Sequence, residues 1–238
     1  MKLGIMQPYF FPYLGYWQLM DAVNEYLIID DVNYIKNGYI NRNKILVNGE
    51  PFNFGIPVRK ASQNNLIREH EQGLDEEGVH KLLATLKSAY AKAPFFQETY
   101  DHVREVLEFG LTDEGRNLAD FLDNANRLTA KKLGITTPIY RTSRDVKLDG
   151  EYKRENLVVA ICRKRNADEY YNAIGGECLY CQAFFRSKGI GLKFVKMNED
   201  IPKLSIIDIM MNNDSDRIKE LLSCYTLEDG LESFEKNE

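Results

Sequence analysis

Residues 1–31 constrain the fold more than any other part of the chain. Residues 2–6, Lys-Leu-Gly-Ile-Met, are a short apolar run that reads as a buried strand. Pro12 suits a first helical turn, where its missing N–H is unpaired anyway. Leu14, Trp17, Leu19, Met20 and Val23 then give an apolar helical face. Residues 26–31 form a second buried strand that ends in two acids, Asp30 and Asp31. Strand, helix and strand this close together make a βαβ unit, which requires parallel pairing through a right-handed crossover.

The remaining chain extends this start. Ile45-Leu46-Val47, Asn48-Gly49 and residues 52–57 read as a hairpin with a type I′ turn. Three apolar stripes at helical spacing follow, led by Val79, Tyr100 and Leu118, and are separated at Pro94 and at residues 110–115. After Gly134 the α/β pattern returns, with strands at 139–140, 169–172 and 192–195 and helices at 155–165 and 178–187. Two more helices, at 206–211 and 214–224, precede a polar tail. The expectation is an α/β protein: a parallel-sheet, Rossmann-like core from residues 1–74 and 134–238, a helical insertion lobe at 75–133 and a helical C-terminus. A chain of 238 residues can bury a core of that size.

Charge and composition exclude several classes. A net charge of -5 argues against a broad nucleic-acid surface, and no DNA partner is expected. No apolar run approaches the length of a membrane span, and the apolar start ends at Gln7-Pro8, too short for a signal segment. A cytoplasmic protein without membrane insertion is expected. Cys178-x-x-Cys181 has no second ligand pair nearby, so Cys162, Cys178, Cys181 and Cys224 read as ordinary thiols, with 177–188 as a helix. His70, His80 and His102 lack metal-ligand spacing and read as surface residues. No metal is expected, and no Walker loop, Gly-x-Ser-x-Gly elbow or Gly-x-Gly-x-x-Gly is present.

The chemistry concentrates at a few places. Gln7, Tyr9, Phe10, Phe11, Tyr13, Gly15 and Tyr16 sit where the first strand passes into the first helix, the default ligand position of a doubly wound sheet. Their aromatic rings could stack on a base or sugar, or plug the top of the core. Asn41, Arg42 and Lys44 supply donors suited to a diphosphate or carboxylate, with Lys36 and Arg59 as further candidates. Gly175-Gly176 is read as opening a helix after a strand, a geometry that lets backbone approach an anion, with Tyr171 and Asn172 beside it to pair with a sugar or amide. Ser205 reads as a helix cap. Asp208, Asp30 and Asp31 are candidate general bases.

The string from Gln7 to Tyr16 (Gln-Pro-Tyr-Phe-Phe-Pro-Tyr-Leu-Gly-Tyr) is followed by a Leu-Ile-Ile-Asp-Asp strand. Asn41-Arg42-Asn43, residues 170–176 and residues 204–208 come later in the same order. Together these resemble the WbqC-like family. The resemblance implies a role in bacterial O-antigen or surface polysaccharide synthesis, and for some members the transfer of glycine. It points to a transferase that forms an amide on a nucleotide-linked amino sugar, with glycyl-tRNA or ATP-activated glycine as donor. A sugar-nucleotide-binding protein without catalysis is the alternative. Residues 12–16, Pro-Tyr-Leu-Gly-Tyr, are also similar to the His-x-Gly-His element of adenylate-forming enzymes. That similarity would make ATP a cofactor, but Tyr13 and Tyr16 stand at both histidine positions and bring no positive charge.

Overall fold

The computed structural model describes residues 1–198 and 201–232. Strand β1 (Lys2–Met6) leads through a loop into helix α1 (Leu14–Asp21), and β2 (Glu25–Ile28) follows. The hairpin β3 (Arg42–Val47) and β4 (Glu50–Gly55) comes next, then the helices α2 (Glu76–Tyr90), α3 (Phe96–Phe109) and α4 (Leu118–Lys132). Strand β5 (Ile139–Arg141), the short α5 (Thr142–Asp145) and α6 (Glu155–Lys164) lead to β6 (Glu169–Ala173). The chain ends with α7 (Gln182–Ser187), β7 (Gly191–Met197), α8 (Ile206–Asn212), α9 (Ser215–Ser223) and β8 (Tyr225–Asp229).

Six strands make one sheet in the order β5-β2-β1-β6-β7-β8, all parallel except the β7–β8 pair. The protein is therefore α/β with a Rossmann-like sheet. The chain winds outward from β1 to β2 and β5, then returns to the other side of β1 for β6 and β7. Apolar residues are buried on both faces of the sheet. Tyr26, Ile28 and Tyr171 join α1, the hairpin and the α2–α4 helices in one cluster. Leu3, Ile5, Leu27, Tyr170, Leu192 and Phe194 join α6 and α7 in the other. Burial on both faces is the reason these strands read as apolar runs rather than alternating ones.

Local signals behave as the sequence suggests. Asn48 and Gly49 both take positive φ, 53° and 82°, as a type I′ turn demands. Asp75 caps α2 through the Gly78 N–H at 2.8 Å, and Asn117 caps α4 through the Ala119 N–H at 2.9 Å. Lys131 and Lys132 in the last turn of α4 oppose the helix dipole.

Four expectations are corrected. The polar tail begins with a strand: residues 225–229 pair antiparallel with β7, a short edge whose alternation is too brief to stand out. The helix expected over 178–187 is instead a 3-10 turn (Ile174–Leu179) and then α7, with Tyr180 and Cys181 extended between them. Tyr180 packs edge-on against Tyr170 and Phe185, and this packing interrupts the helical path. His70 and His102 are buried, not on the surface. His70 lies against Tyr34, with Nδ1 paired to the Leu66 carbonyl and Nε2 accepting from the Ser62 N–H. His102 pairs with the Thr129 hydroxyl at 3.0 Å and meets Phe11 edge-on.

Candidate functional site

Winding direction reverses between β1 and β6, and the crevice beyond their carboxyl ends is where a doubly wound sheet binds ligands. Its first wall is residues 7–13, a loop braced along its length. Tyr16 donates to the Gln7 carbonyl at 3.2 Å, and the Phe10 N–H donates to the Tyr39 carbonyl at 3.2 Å. The Phe11 carbonyl accepts from Asn43 at 2.9 Å and from the Ser205 hydroxyl at 2.8 Å. The Pro12 carbonyl accepts from the Trp17 indole and from the Ile206 N–H, each at 3.0 Å. Phe11 has φ 42°, a left-handed value costly for a bulky residue. The two donors on its carbonyl hold it there.

This bracing sorts the residues expected at a ligand. Phe10, Phe11 and Tyr16 are buried and form the floor of the site; Phe10 stacks on Phe54 and Phe121. Tyr9 and Tyr13 remain partly exposed above them. Tyr39, from the loop between β2 and β3, places its ring 5.9 Å from that of Tyr9. Burial, with the Tyr13, Tyr39 and Tyr180 phenols close by, pushes the Tyr9 pKa up to about 12. Three loops, after β1, after β2 and after β6, thus converge through tyrosines. Among the described residues, the hydroxyls of Tyr9, Tyr13 and Tyr39 and the side-chain amide of Gln7 have no hydrogen-bond partner.

Gly15 gives room to a neighbouring ring. A Cβ there would stand 2.6 Å from Cε2 of Tyr13, so the glycine makes room for the Tyr13 ring over the first turn of α1. Gly176 is constrained in the same way: a Cβ would lie 2.9 Å from Nδ2 of Asn172. Asn172 is buried, donates to the Tyr170 hydroxyl and accepts from the Ala173 N–H. It supports the β6 loop from below. Gly175 is exposed with open space around it. Tyr171 is buried in mid-strand under the Lys2 ammonium.

The donor segment lies in a strand, since Arg42 opens β3. Asn41 bridges the Tyr34 hydroxyl and the Ile56 carbonyl, so its side chain ties the loop to the hairpin. Arg42 donates to the Asn37 carbonyl at 2.8 Å in the loop that carries Tyr39. Lys44 is exposed.

The acids divide. Asp30 is fully buried, and its carboxylate receives Arg141 Nε and Nη2 together with the N–H and hydroxyl of Ser143. Burial alone would raise its pKa, but the Ser143 and Arg141 hydrogen bonds and the guanidinium charge outweigh it and hold the group below the usual carboxylate range. Arg141 also pairs with Asp120, which it shares with Arg144. Asp31 accepts the Thr142 hydroxyl at 2.6 Å on one oxygen, leaving the other without a partner among the described residues. Asp208 accepts from Tyr90 at 2.7 Å, on the side of the helical layer, and burial raises its pKa.

Sequence reasoning missed Tyr39, Tyr180 and Asp123. The two tyrosines lie in loops without periodicity, and only the fold brings them beside Tyr9. Asp123 faces the sheet from α4 and is buried; Arg127 bonds it at 2.8 Å, yet burial still raises its pKa. A surface groove lies elsewhere, on α3 and α4, where Lys132–Glu98 and Arg104–Asp101 already neutralise one another.

Comparison with known proteins gives one family. The model described as the WbqC-like protein family matches residues 7–220. The uncharacterized protein Rv1507c of Mycobacterium tuberculosis is 31% identical over 174 residues, which cover 71% of each chain. No solved structure matches. No helix among the described residues is long and apolar enough to cross a membrane.

Proposed function

We propose, for a chain that belongs to the WbqC-like protein family, that the crevice between β1 and β6 binds a nucleotide-linked amino sugar and serves to form an amide on its amine. Glycine is the acyl group, delivered as glycyl-tRNA or as an activated glycine, in bacterial O-antigen or surface polysaccharide synthesis. The reaction takes place in the cytoplasm on soluble precursors.

One observation carries this reading: three loops converge at the switch point and present phenol hydroxyls and the Gln7 amide that the protein does not itself use. Hydroxyls and an amide gathered at a crevice and open to solvent are suited to a ligand with hydroxyls. Arg42, on the strand entered from the Tyr39 loop and bonded there to the Asn37 carbonyl, would supply the charge for a diphosphate. The amine must lose a proton as it attacks. Of the three candidate bases, Asp31 has an oxygen without a partner; Asp30 is saturated by Arg141 and Ser143, and Asp208 is held by Tyr90. ATP fits less well, because the Tyr13 ring covers the turn of α1 where its phosphates would approach.

The scarcity of open carboxylates favours a second reading, a protein that binds the sugar nucleotide without transforming it. Calorimetric titration with a uridine-diphosphate amino sugar, and mass analysis after adding glycyl-tRNA or glycine with ATP, separates the two. Transfer yields a glycyl-sugar, whereas a carrier gives binding without product. Arg42→Ala should weaken sugar-nucleotide binding by about 1.5–3 kcal/mol, the scale of a charge-assisted bond, and Arg42→Lys should recover only part. If affinity is unaltered in Arg42→Ala, the diphosphate assignment is wrong.

A further inference from the structure

Positive charge gathers in one stretch of an acidic chain. Residues 32–68 hold Lys36, Arg42, Lys44, Arg59, Lys60 and Arg68 against a single acid, Glu50, although the net charge of the whole is -5. Among the described residues, none of these cations enters an ion pair. Surface cations elsewhere do meet acids, as Lys81 meets Glu77, Arg104 meets Asp101 and Lys193 meets Asp229. The hairpin brings four cations together. Arg42 and Lys44 alternate with the buried Asn43 and Ile45, so they stand on the outer face of β3. Arg42 bonds the carbonyl of Asn37, next to Lys36 in the chain. The Lys44 carbonyl accepts the Ser205 N–H at 2.7 Å, which brings Lys203 alongside. Lys36, Lys44 and Lys203 are exposed, and Lys203 has no acid partner among the described residues either. This belt adjoins the crevice, because Asn43 and Ser205 both bond the Phe11 carbonyl in its wall.

We propose that this belt docks the phosphate backbone of a transfer RNA, so that glycine reaches the crevice as the aminoacyl ester at the RNA 3′ end. The inference rests on the reading of the crevice as the sugar-nucleotide site, and it chooses between the two donors. The sugar diphosphate takes Arg42 and leaves Lys36, Lys44 and Lys203 to a ligand with further phosphates. Asn53, paired with Lys44 across the hairpin, and Asn37 offer exposed amides. Tyr39, half exposed, comes from the loop between Lys36 and Arg42 and meets Tyr9 in the crevice. Amides bond ribose, and an exposed ring stacks on an unpaired base. An anionic lipid surface fits less well, since residues 32–66 form loops and a hairpin with no amphipathic helix. In transfer, the sugar amine attacks the ester carbonyl. A C–N bond forms, the C–O bond to the ribose breaks, and the proton given up by the amine is matched by the one that the ribose oxygen takes.

The test measures fluorescence anisotropy of a labelled, deacylated glycine transfer RNA titrated with the full chain. About four phosphate contacts give a slope of about -3 in log affinity against log salt, so affinity should fall roughly 60-fold between about 50 and about 200 mM salt. Combining Lys36→Gln, Lys44→Gln and Lys203→Gln should reduce that slope to about -1. Titration with a uridine-diphosphate amino sugar should be unchanged in this variant, because Arg42 and the crevice are intact. A matched variant, Lys87→Gln with Lys92→Gln and Lys131→Gln, neutralises exposed lysines on the helical layer and should bind the RNA as the wild type does. No RNA binding, or equal losses in the two triple variants, overturns the belt; sugar-nucleotide binding that persists then leaves the crevice reading standing, with a free activated glycine as donor. Co-sedimentation with phosphatidylserine vesicles that the belt variant abolishes, without RNA binding, assigns these lysines to a lipid surface instead. RNA binding at the belt by a chain that binds no sugar nucleotide sinks the crevice reading and upholds the belt.

Discussion

Two neighbouring stretches of one sheet edge contrast sharply. Beyond β2 and β5, the residue types most often associated with catalysis, Asp30, Arg141, Ser143 and Thr142, satisfy one another almost completely. Beyond β1 and β6, the less reactive tyrosines Tyr9, Tyr13 and Tyr39 leave their hydroxyls unpaired. Reactive residue types do not mark a site by themselves. A buried charge must find partners to stay ionised, so acids at a buried strand end become structure unless something leaves them open. The informative quantity is bonding capacity left unused.

The largest effect should come from breaking the closed end. Arg141→Met leaves Asp30 buried without its guanidinium and should cost about 3–5 kcal/mol in urea unfolding. Because the Asp30 pKa is lowered in the fold, its contribution is full above the ordinary carboxylate pKa of about 4 and fades as pH falls through the lower folded value. A loss below about 1 kcal/mol would mean that this end is not the rigid member of the pair.

The floor of the open end should be acid-sensitive at higher pH. Burial, helped by the Lys132 charge, lowers the His102 pKa to about 4. A free histidine titrates near 6.5, so between those values the unfolded chain binds a proton that the fold refuses, and stability drops as pH falls. At pH 5 the loss from this group is about 2 kcal/mol. Unfolding of the wild type and His102→Leu, compared at about pH 7.5 and pH 5, should show a smaller pH-dependent loss in the variant. Equal losses would place the acid sensitivity elsewhere.

A smaller effect tests the brace on the loop. Asn43→Leu removes one of two donors from the Phe11 carbonyl and should cost about 1–2 kcal/mol. It should also weaken the sugar binding proposed at Tyr9, two residues away, by loosening the strained turn. Unchanged affinity in a destabilised variant would detach the brace from the site.

The smallest stability change belongs to the mouth. Tyr39→Phe should alter stability by no more than about 0.5 kcal/mol in thermal melting, since its hydroxyl bonds nothing in the protein. A larger loss would show that the phenol belongs to the fold, and the contrast between the two ends would disappear.

Local and regular features were legible in the sequence. The βαβ start, the Asn48-Gly49 hairpin and the three helices between residues 76 and 132 follow from periodicity, turn chemistry and caps. These depend on residues a few positions apart, and a sequence displays such spacing directly. Side-chain partnership is different. That Asp30 meets Arg141 and Ser143, that Asn43 and Ser205 hold Phe11, and that Tyr39 and Tyr180 join Tyr9 depends on residues more than 20 positions apart in every case. The same residue types in the same order could have been open or saturated. Only packing at the sheet edge decides this, because desolvation forces a buried group such as Asp30 to pair, while the hydroxyls of the partly exposed Tyr9, Tyr13 and Tyr39 can stay in water.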